Sequence, residues 1–371
     1  MAGDPENSAP RRGPSPLPVH IGLAIAEYAK AQQSSDIEPQ ELEQMMAGIR
    51  KYQDHPFRRN IKKLPVVWEN EEVRIFYCAA KKPVASLLLV PSLINKSSIL
   101  DLLPEKSFLR WLAGQGIDTY LLDWGRPVGD EMLHNIDTLV TEKLSPAIAQ
   151  ISAKARQKIH ALGYCMGGTL LAAAALHNSE NLRSIIFLAS PWDFHAGDRR
   201  LADHVQLGTA SALQMIEQNH CLPMDWIQSV FAAVNAERTL QKFSDFSMLD
   251  DDSEKAHLFV AVEDWLNDGI DMPSDLAKTC ILDWYGDNKP GRGKWRVAGK
   301  VMDPAALSIP ALIMASANDR LVPKDSSLAM ASAMRAAKIM EPSSGHIGMM
   351  TGRRAEQQVW QPVAQRVKEL S

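Results

Sequence analysis

Six residues of this sequence, Gly163-Tyr164-Cys165-Met166-Gly167-Gly168, combine a thiol with the glycine spacing of a tight reversal. The apolar run Lys158-Ile159-His160-Ala161-Leu162 precedes them, and a small-residue stretch from Thr169 to His177 follows. That order predicts a strand, a sharp turn and a helix with the thiol at the apex: the nucleophile elbow G-x-S-x-G, with cysteine in the serine position. Glycines two before and two after the thiol let strand and helix pass closely at the bend. A side chain at the start of a helix also lies at the positive end of the helix macrodipole, which favours a thiolate. The chemistry these residues suit is nucleophilic attack on an acyl carbonyl.

A thiol nucleophile needs a base, and the base needs an acid to orient it. Behind an elbow of this kind the chain order is nucleophile, acid, histidine, with the acid ending a late strand and the histidine in the loop after the last one. Asp319 follows the apolar run Ala311 to Ala315 within Ser316-Ala317-Asn318-Asp319, and His346 closes the loop Glu341-Pro342-Ser343-Ser344-Gly345-His346. Of the ten histidines, His346 is the only one C-terminal to Asp319. Cys165 is therefore expected as nucleophile, His346 as base and Asp319 as orienting acid. Asp193 also follows a predicted strand and is the rival for the acid, whereas Asp123 ends a strand before the elbow, too early in the chain. The oxyanion of a tetrahedral intermediate is expected on the Met166 backbone N–H and on an N–H of the loop after Val90, from Leu93 or Ile94; such donors contribute roughly 3–4 kcal/mol each. Cys78, Cys221 and Cys280 read as packing residues. No C-x-x-C pair occurs among the four cysteines, so no zinc site is expected.

The elements that must position these residues are legible as alternating signals. Residues 1–17, rich in Pro, Gly and Arg, read as a disordered tail. Helical patterns fill residues 18–64, the second running from about Pro39 to Tyr52 with a cap near Ser35 or Asp36. Strand signals begin near Val66, and the solid apolar run Ser86-Leu87-Leu88-Leu89-Val90 predicts a strand buried on both faces. Further strands are expected at Ile117 to Leu122, Ser184 to Ala189, Ala311 to Ala315 and Ala337 to Met340. Helices are expected at Ser107 to Ala113, Asp137 to Ile151 and Ala355 to Leu370. Between about 197 and 305 the alternation gives way to helical patterns carrying Trp226, Trp265, Trp284 and Trp295. Residues 65–371 thus predict one catalytic α/β domain, a mostly parallel sheet with helices on both faces and a helical cap inserted at 197–305.

With 371 residues, 46% of them hydrophobic, the chain can bury a substantial core. A net charge of −4, with both signs dispersed, argues against a nucleic-acid partner. No run of about 18 apolar residues occurs and the N-terminal stretch lacks a signal-peptide core, so a cytoplasmic location with free thiols is expected.

Several ordered segments resemble polyhydroxyalkanoate synthases, particularly the class III catalytic subunit, an α/β-hydrolase-fold family. They are Pro91-Ser92-Leu93-Ile94-Asn95-Lys96 continuing to Leu102, Leu122-Asp123-Trp124-Gly125, Gly163 to Leu170 with its cysteine, and Ser190-Pro191-Trp192-Asp193-Phe194. Phe259 to Trp265, Asn318-Asp319-Arg320-Leu321-Val322-Pro323 and Gly345-His346-Ile347-Gly348 extend the match, which covers about Pro65 to Leu370. The family often has histidine where Arg320 stands here, and residues before Pro65 have no clear counterpart. The resemblance implies transfer of a 3-hydroxyacyl group from coenzyme A to the cysteine and then to the hydroxyl end of a polyester. It implies a coenzyme A thioester as substrate, no bound cofactor, a homodimer or a second synthase subunit as partner, and a polyester granule surface as a place of action. A thiol hydrolase (thioesterase, esterase or depolymerase) using the same triad is the alternative, and a non-catalytic granule-binding protein the second. In the synthase reading the segment between Gly197 and Ala305 shields the acyl enzyme from water.

Overall fold

The computed structural model describes residues 10–34, 39–335 and 337–371. The chain divides into two compact units: residues up to Lys62 together with Met224–Gly269, and Lys63–Pro223 together with Ile270–Ser371. The stretch read from sequence as a single insertion at 197–305 is therefore shared, its middle belonging with the N-terminal helices.

The larger unit is built on an eight-stranded sheet: β1 Val66–Asn70, β2 Val73–Cys78, β3 Ala85–Val90, β4 Ile117–Asp123, β5 Ile159–Tyr164, β6 Leu182–Leu188, β7 Ala311–Met314 and β8 Ala337–Met340. Its spatial order is β1-β2-β4-β3-β5-β6-β7-β8. The first two strands form an antiparallel hairpin, and β2 runs antiparallel to β4. All pairs from β4 to β8 are parallel. Every residue of β3 and β5 is buried, as apolar runs covered on both faces must be. The helix Met166–His177 is likewise buried almost throughout, which its run of Ala and Leu permits without a polar face. Because β3, β5, β7 and β8 point the same way, the segments that follow them meet at one edge of the sheet, where sites of such folds form.

Three helices depart from the regular pattern that the sequence suggested. The helix expected over Asp137 to Ile151 contains a π-helical stretch, Leu139–Leu144, ahead of Ser145–Ala155. The C-terminal helix has another, Glu356–Trp360, ahead of Gln361–Glu369. Pro146 and Pro362 stand just beyond them, and a proline, lacking an N–H, disturbs the regular ladder of the turn before it. The third, Thr279–Gly286, follows the short helix Ser274–Lys278. Where the chain leaves this unit and returns to it, Cys221–Leu222 pairs antiparallel with Met272–Pro273 and ties the two crossings together.

The smaller unit is helical: Leu17–Ser34, Pro39–Asp54, Met224–Val234, Ala236–Ser247 and Glu254–Asn267. Met45, Ile49, Tyr52, Phe243, Phe246 and Val260 form its core. Gly48 sets one close approach, since a Cβ there would lie 1.9 Å from the Phe243 carbonyl oxygen. Residues 10–16, expected as part of a disordered tail, are packed here. Arg11 pairs with Asp264 at 2.5 Å and donates to the carbonyls of His55 and Phe57, while Tyr52 Oη donates to Asp264 at 2.9 Å. Fixed partners for a guanidinium outweigh the Pro- and Gly-rich composition. Residues 1–9 and the cap expected at Ser35 or Asp36 lie outside the described residues.

Candidate active site

Cys165 joins β5 to the helix Met166–His177 with φ 56° and ψ −133°, a left-handed conformation rare for a side chain with a Cβ. The strain is tolerable because the surroundings leave no alternative. A Cβ on Gly163 would lie 2.3 Å from the Cα of Gly168, so strand and helix touch backbone to backbone. A Cβ on Gly167 would lie 2.3 Å from the carbonyl oxygens of Val90 and Pro91, which puts the loop after β3 directly beside the elbow. The Cys165 N–H donates to the Leu188 carbonyl at 2.9 Å, and the thiol is half-buried.

His346 and Asp319 meet at this apex. Nδ1 of His346 lies 2.6 Å from Oδ2 of Asp319, and the ring is close enough to the Cys165 side chain to feel its charge. With Nδ1 taken by Asp319, Nε2 is the nitrogen left for the sulfur. Oδ1 of Asp319 accepts the N–H groups of Leu321 and Val322, both at 2.9 Å, so the carboxylate is held by its own turn. Asn318 donates to the Ser343 carbonyl at 2.8 Å and couples the acid loop to the histidine loop. Burial pushes the His346 pKa down, but the charges of Asp319 and Cys165 and their hydrogen bonds outweigh it and hold the imidazole well above its ordinary 6.5.

Asp193 is engaged elsewhere: its Oδ1 accepts from Asn288 at 2.7 Å and from the His195 N–H at 2.9 Å. Asp123 closes its own turn by accepting from the Gly125 N–H at 3.1 Å. Burial raises the thiol pKa of Cys78, Cys221 and Cys280, which keeps them protonated. Trp284 and Trp295 lie in the core, their rings edge to face at 5.3 Å.

The three backbone groups considered for an oxyanion occupy adjacent segments. Met166 opens the elbow helix, so its N–H has no intrahelical acceptor. Leu93 N–H meets no acceptor among the described residues, whereas Ile94 N–H faces Ser92 Oγ at 3.5 Å. The Trp124 indole donates to the Pro91 carbonyl at 3.0 Å and fixes the start of that loop. Sequence reasoning missed Tyr164. Its ring stacks on His346 with centroids 5.0 Å apart, and its hydroxyl donates to the His346 carbonyl at 3.1 Å. Its place between Gly163 and Cys165 was the available signal.

Among the described residues one group could offer metal-ligand atoms, Glu71, Glu72 and His134, whose atoms lie within 4.8 Å of one another. Lys143 is ion-paired with Glu71 and stands 3.8 Å from Glu72, so a cationic charge already serves these carboxylates. No described helix is long and apolar enough to cross a membrane.

A strand-elbow-helix with a half-buried thiol at its apex, and histidine and aspartate from the loops after later parallel strands, defines a class of fold. Residues 147–353 match the family model described as alpha/beta hydrolase fold, and the chain belongs to that family. Within it the chain is similar to the poly(3-hydroxyalkanoate) polymerase subunit PhaC of Haloferax mediterranei, 27% identical over 82% of this chain and 64% of that protein. It is similar also to the subunit of the same name from Allochromatium vinosum, 26% identical over 74% of this chain and 78% of that one. The chain thus spans just under two thirds of the first of these relatives. Among solved structures, MenH from S. aureus superposes with a TM-score of 0.50 at 14% identity, over 80% of this chain and 98% of that one, a likeness of fold. The resemblance read from the motifs and the expected α/β-hydrolase architecture both hold.

Proposed function

We propose that this protein is an acyltransferase of the polyhydroxyalkanoate synthase kind, with Cys165 as nucleophile, His346 as base and Asp319 as its orienting acid. The observation that carries the reading is the 2.6 Å pair of His346 and Asp319, with the imidazole within the influence of the Cys165 thiol at a strained elbow. The printed names of the relatives support the substrate class.

In the first step the thiol gives its proton to His346 and the sulfur attacks the carbonyl of a 3-hydroxyacyl-coenzyme A thioester. The Met166 and Leu93 N–H groups receive the oxyanion. Collapse breaks the bond to coenzyme A, and His346 returns the proton to the departing thiolate. One thioester replaces another, so this step is near balance. In the second step His346 takes the proton of an acceptor hydroxyl, the oxygen attacks the acyl-cysteine, and the ester leaves as the thiol re-forms. Thioester to ester runs downhill. Cysteine suits this sequence because it keeps the acyl group activated until an alcohol arrives.

The coenzyme A thioester enters as substrate, with no resident cofactor. A second chain, a like copy or a different subunit, completes the working enzyme, a reading supported by the word "subunit" in the relatives' names. Action at a polyester granule surface follows from the product. Incubation with 3-hydroxybutyryl-coenzyme A, following thiol release and product size together, tests the proposal. A burst of coenzyme A equal to the enzyme, followed by oligomer or polymer, is expected. Free hydroxy acid as the sole product points to a thiol hydrolase, and no release of coenzyme A to a non-catalytic protein.

A further inference from the structure

We propose that Tyr164 is a positioning residue for acyl transfer: the face of its ring supports the imidazolium that His346 becomes each time it takes a proton. This rests on the assignment above of Cys165 as nucleophile and His346 as base, and it adds the group that steadies the base while it is charged.

Tyr164 is the last residue of β5 and stands immediately before Cys165. It meets His346 twice. The phenol ring stacks on the imidazole with centroids 5.0 Å apart and planes 25° from parallel, and the hydroxyl donates to the His346 carbonyl at 3.1 Å. Burial first, and then the charges of Cys165 and Asp319, hold the phenol pKa well above the ordinary 10.0, so the ring stays neutral and the hydroxyl stays a donor. β5 is paired on both sides, with β3 and with β6, so the phenol stands on a rigid base. The Nδ1 bond to Asp319 fixes one point of the imidazole but leaves rotation about the line of that bond. A flat neighbour against one face restricts that rotation, and with it the direction of Nε2.

The stack also bears on charge. An aromatic face is negative, and a cation within about 6 Å of the ring centroid is attracted to it, more strongly where water is excluded. Tyr164 and His346 are both buried. Among the described residues, the ionisable groups that face the imidazole are Asp319, Cys165 and Tyr164. Asp319 supplies a negative charge at the Nδ1 edge, Cys165 gains one when its proton leaves, and Tyr164 offers a polarised face without a charge. In the proposed mechanism His346 is cationic once in acylation and once in deacylation, so a face that favours the cation acts on both steps. Against a neutral imidazole the same stack would be packing alone.

The test compares Tyr164→Phe with Tyr164→Leu. Both lack the hydroxyl, so the difference between them isolates the aromatic face. The His346 imidazole is titrated in the full chain by NMR with ring-labelled histidine, its signal assigned by its loss in His346→Gln. In Tyr164→Leu the midpoint should lie about one pH unit below that of Tyr164→Phe. The burst of coenzyme A from 3-hydroxybutyryl-coenzyme A should be about tenfold slower in Tyr164→Leu than in Tyr164→Phe. Coincident midpoints in the two variants overturn the inference, because packing alone does not distinguish the charged ring from the neutral one. Should Tyr164→Leu lose its fold by circular dichroism, Tyr164→Met, also apolar and without a ring, takes its place. No burst from the wild type is a different result, which removes the acyl-transfer reading. The titration uses no substrate, so the support of the imidazolium by the ring stands or falls by the midpoints.

Discussion

Nδ1 of His346 and Oδ2 of Asp319 lie 2.6 Å apart, both side chains buried, and the second carboxylate oxygen is occupied by two backbone N–H groups of the aspartate's own turn. That arrangement fixes the tautomer with Nδ1 protonated and turns Nε2 towards Cys165. Asp319→Asn retains an oxygen for the turn but loses the charge that steadies the imidazolium. Coenzyme A release from 3-hydroxybutyryl-coenzyme A should fall by about a thousandfold or more, with the fold retained by circular dichroism. A variant with near-normal release would remove Asp319 from the mechanism.

Cys165→Ala deletes the only atom that can carry the acyl group in the proposed mechanism. Intact-protein mass after incubation with 3-hydroxybutyryl-coenzyme A should show one added acyl group per wild-type chain and none on the variant. An adduct that persists on the variant locates the nucleophile elsewhere.

Tyr164→Phe keeps the ring stacked on His346 but takes the donor away from the His346 carbonyl. The carbonyl keeps the longer Met349 N–H bond at 3.4 Å, so the lost hydrogen bond costs about 0.5–1.5 kcal/mol. The denaturant midpoint should move down accordingly with an unchanged slope. Tyr164→Ala, which also opens a cavity beside His346, should cost more. Equal stability of the two variants would mean that the stack contributes nothing.

His160, on β5 just before the elbow, bonds Ser184 Oγ at 2.7 Å and has its pKa pushed down to about 4 by burial and then by the charge of Arg183. In the unfolded chain it titrates near 6.5. Below that value the unfolded state takes up a proton that the folded state refuses. Its contribution is therefore complete above pH about 6.5 and is lost as pH falls towards about 4. His346 has the opposite sign: its raised pKa stabilises fully below pH about 6.5 and loses effect only as pH rises through the raised value. Between pH 6.5 and 4, His160→Gln should flatten the fall in stability relative to wild type, as read from urea midpoints at several pH values. Parallel curves would show that His160 is charged in the fold.

Gly48→Ala probes the helical unit by itself. The added methyl would meet the Phe243 carbonyl at 1.9 Å, so the helices Pro39–Asp54 and Ala236–Ser247 must separate. Overpacking of this kind costs about 1–3 kcal/mol, and the thermal midpoint should drop. A helix-favouring gain at this position would contradict the close approach.

The elbow was legible because its requirements are local. Two glycines, a reactive residue and flanking apolar runs say the same thing within a dozen positions, and the structure differs by three residues at most at the element ends. The acid and the histidine were legible through order, since one histidine alone follows Asp319. Tyr164 was not, because nothing in a lone tyrosine tells that its ring will meet a loop some 180 residues later in the chain. The π-helical stretches were hidden for a related reason: their hydrogen-bond register is decided by prolines and neighbours together rather than by apolar period. The short pair Cys221–Leu222 and Met272–Pro273 carries too few residues to show an alternation.

What the amino-acid order determined by itself was the set of strands, the bend at Cys165 and the sequence of candidate groups, because each depends on residues close along the chain. Which chain segments share a core was decided only in three dimensions. Residues 224–269 leave the α/β unit to join helices some 200 positions earlier, because Tyr52, Phe243 and Val260 bury one another and Asp264 captures Arg11. Non-local burial and buried charge pairing leave no periodic trace in sequence, and they set both that partition and the surroundings of His346.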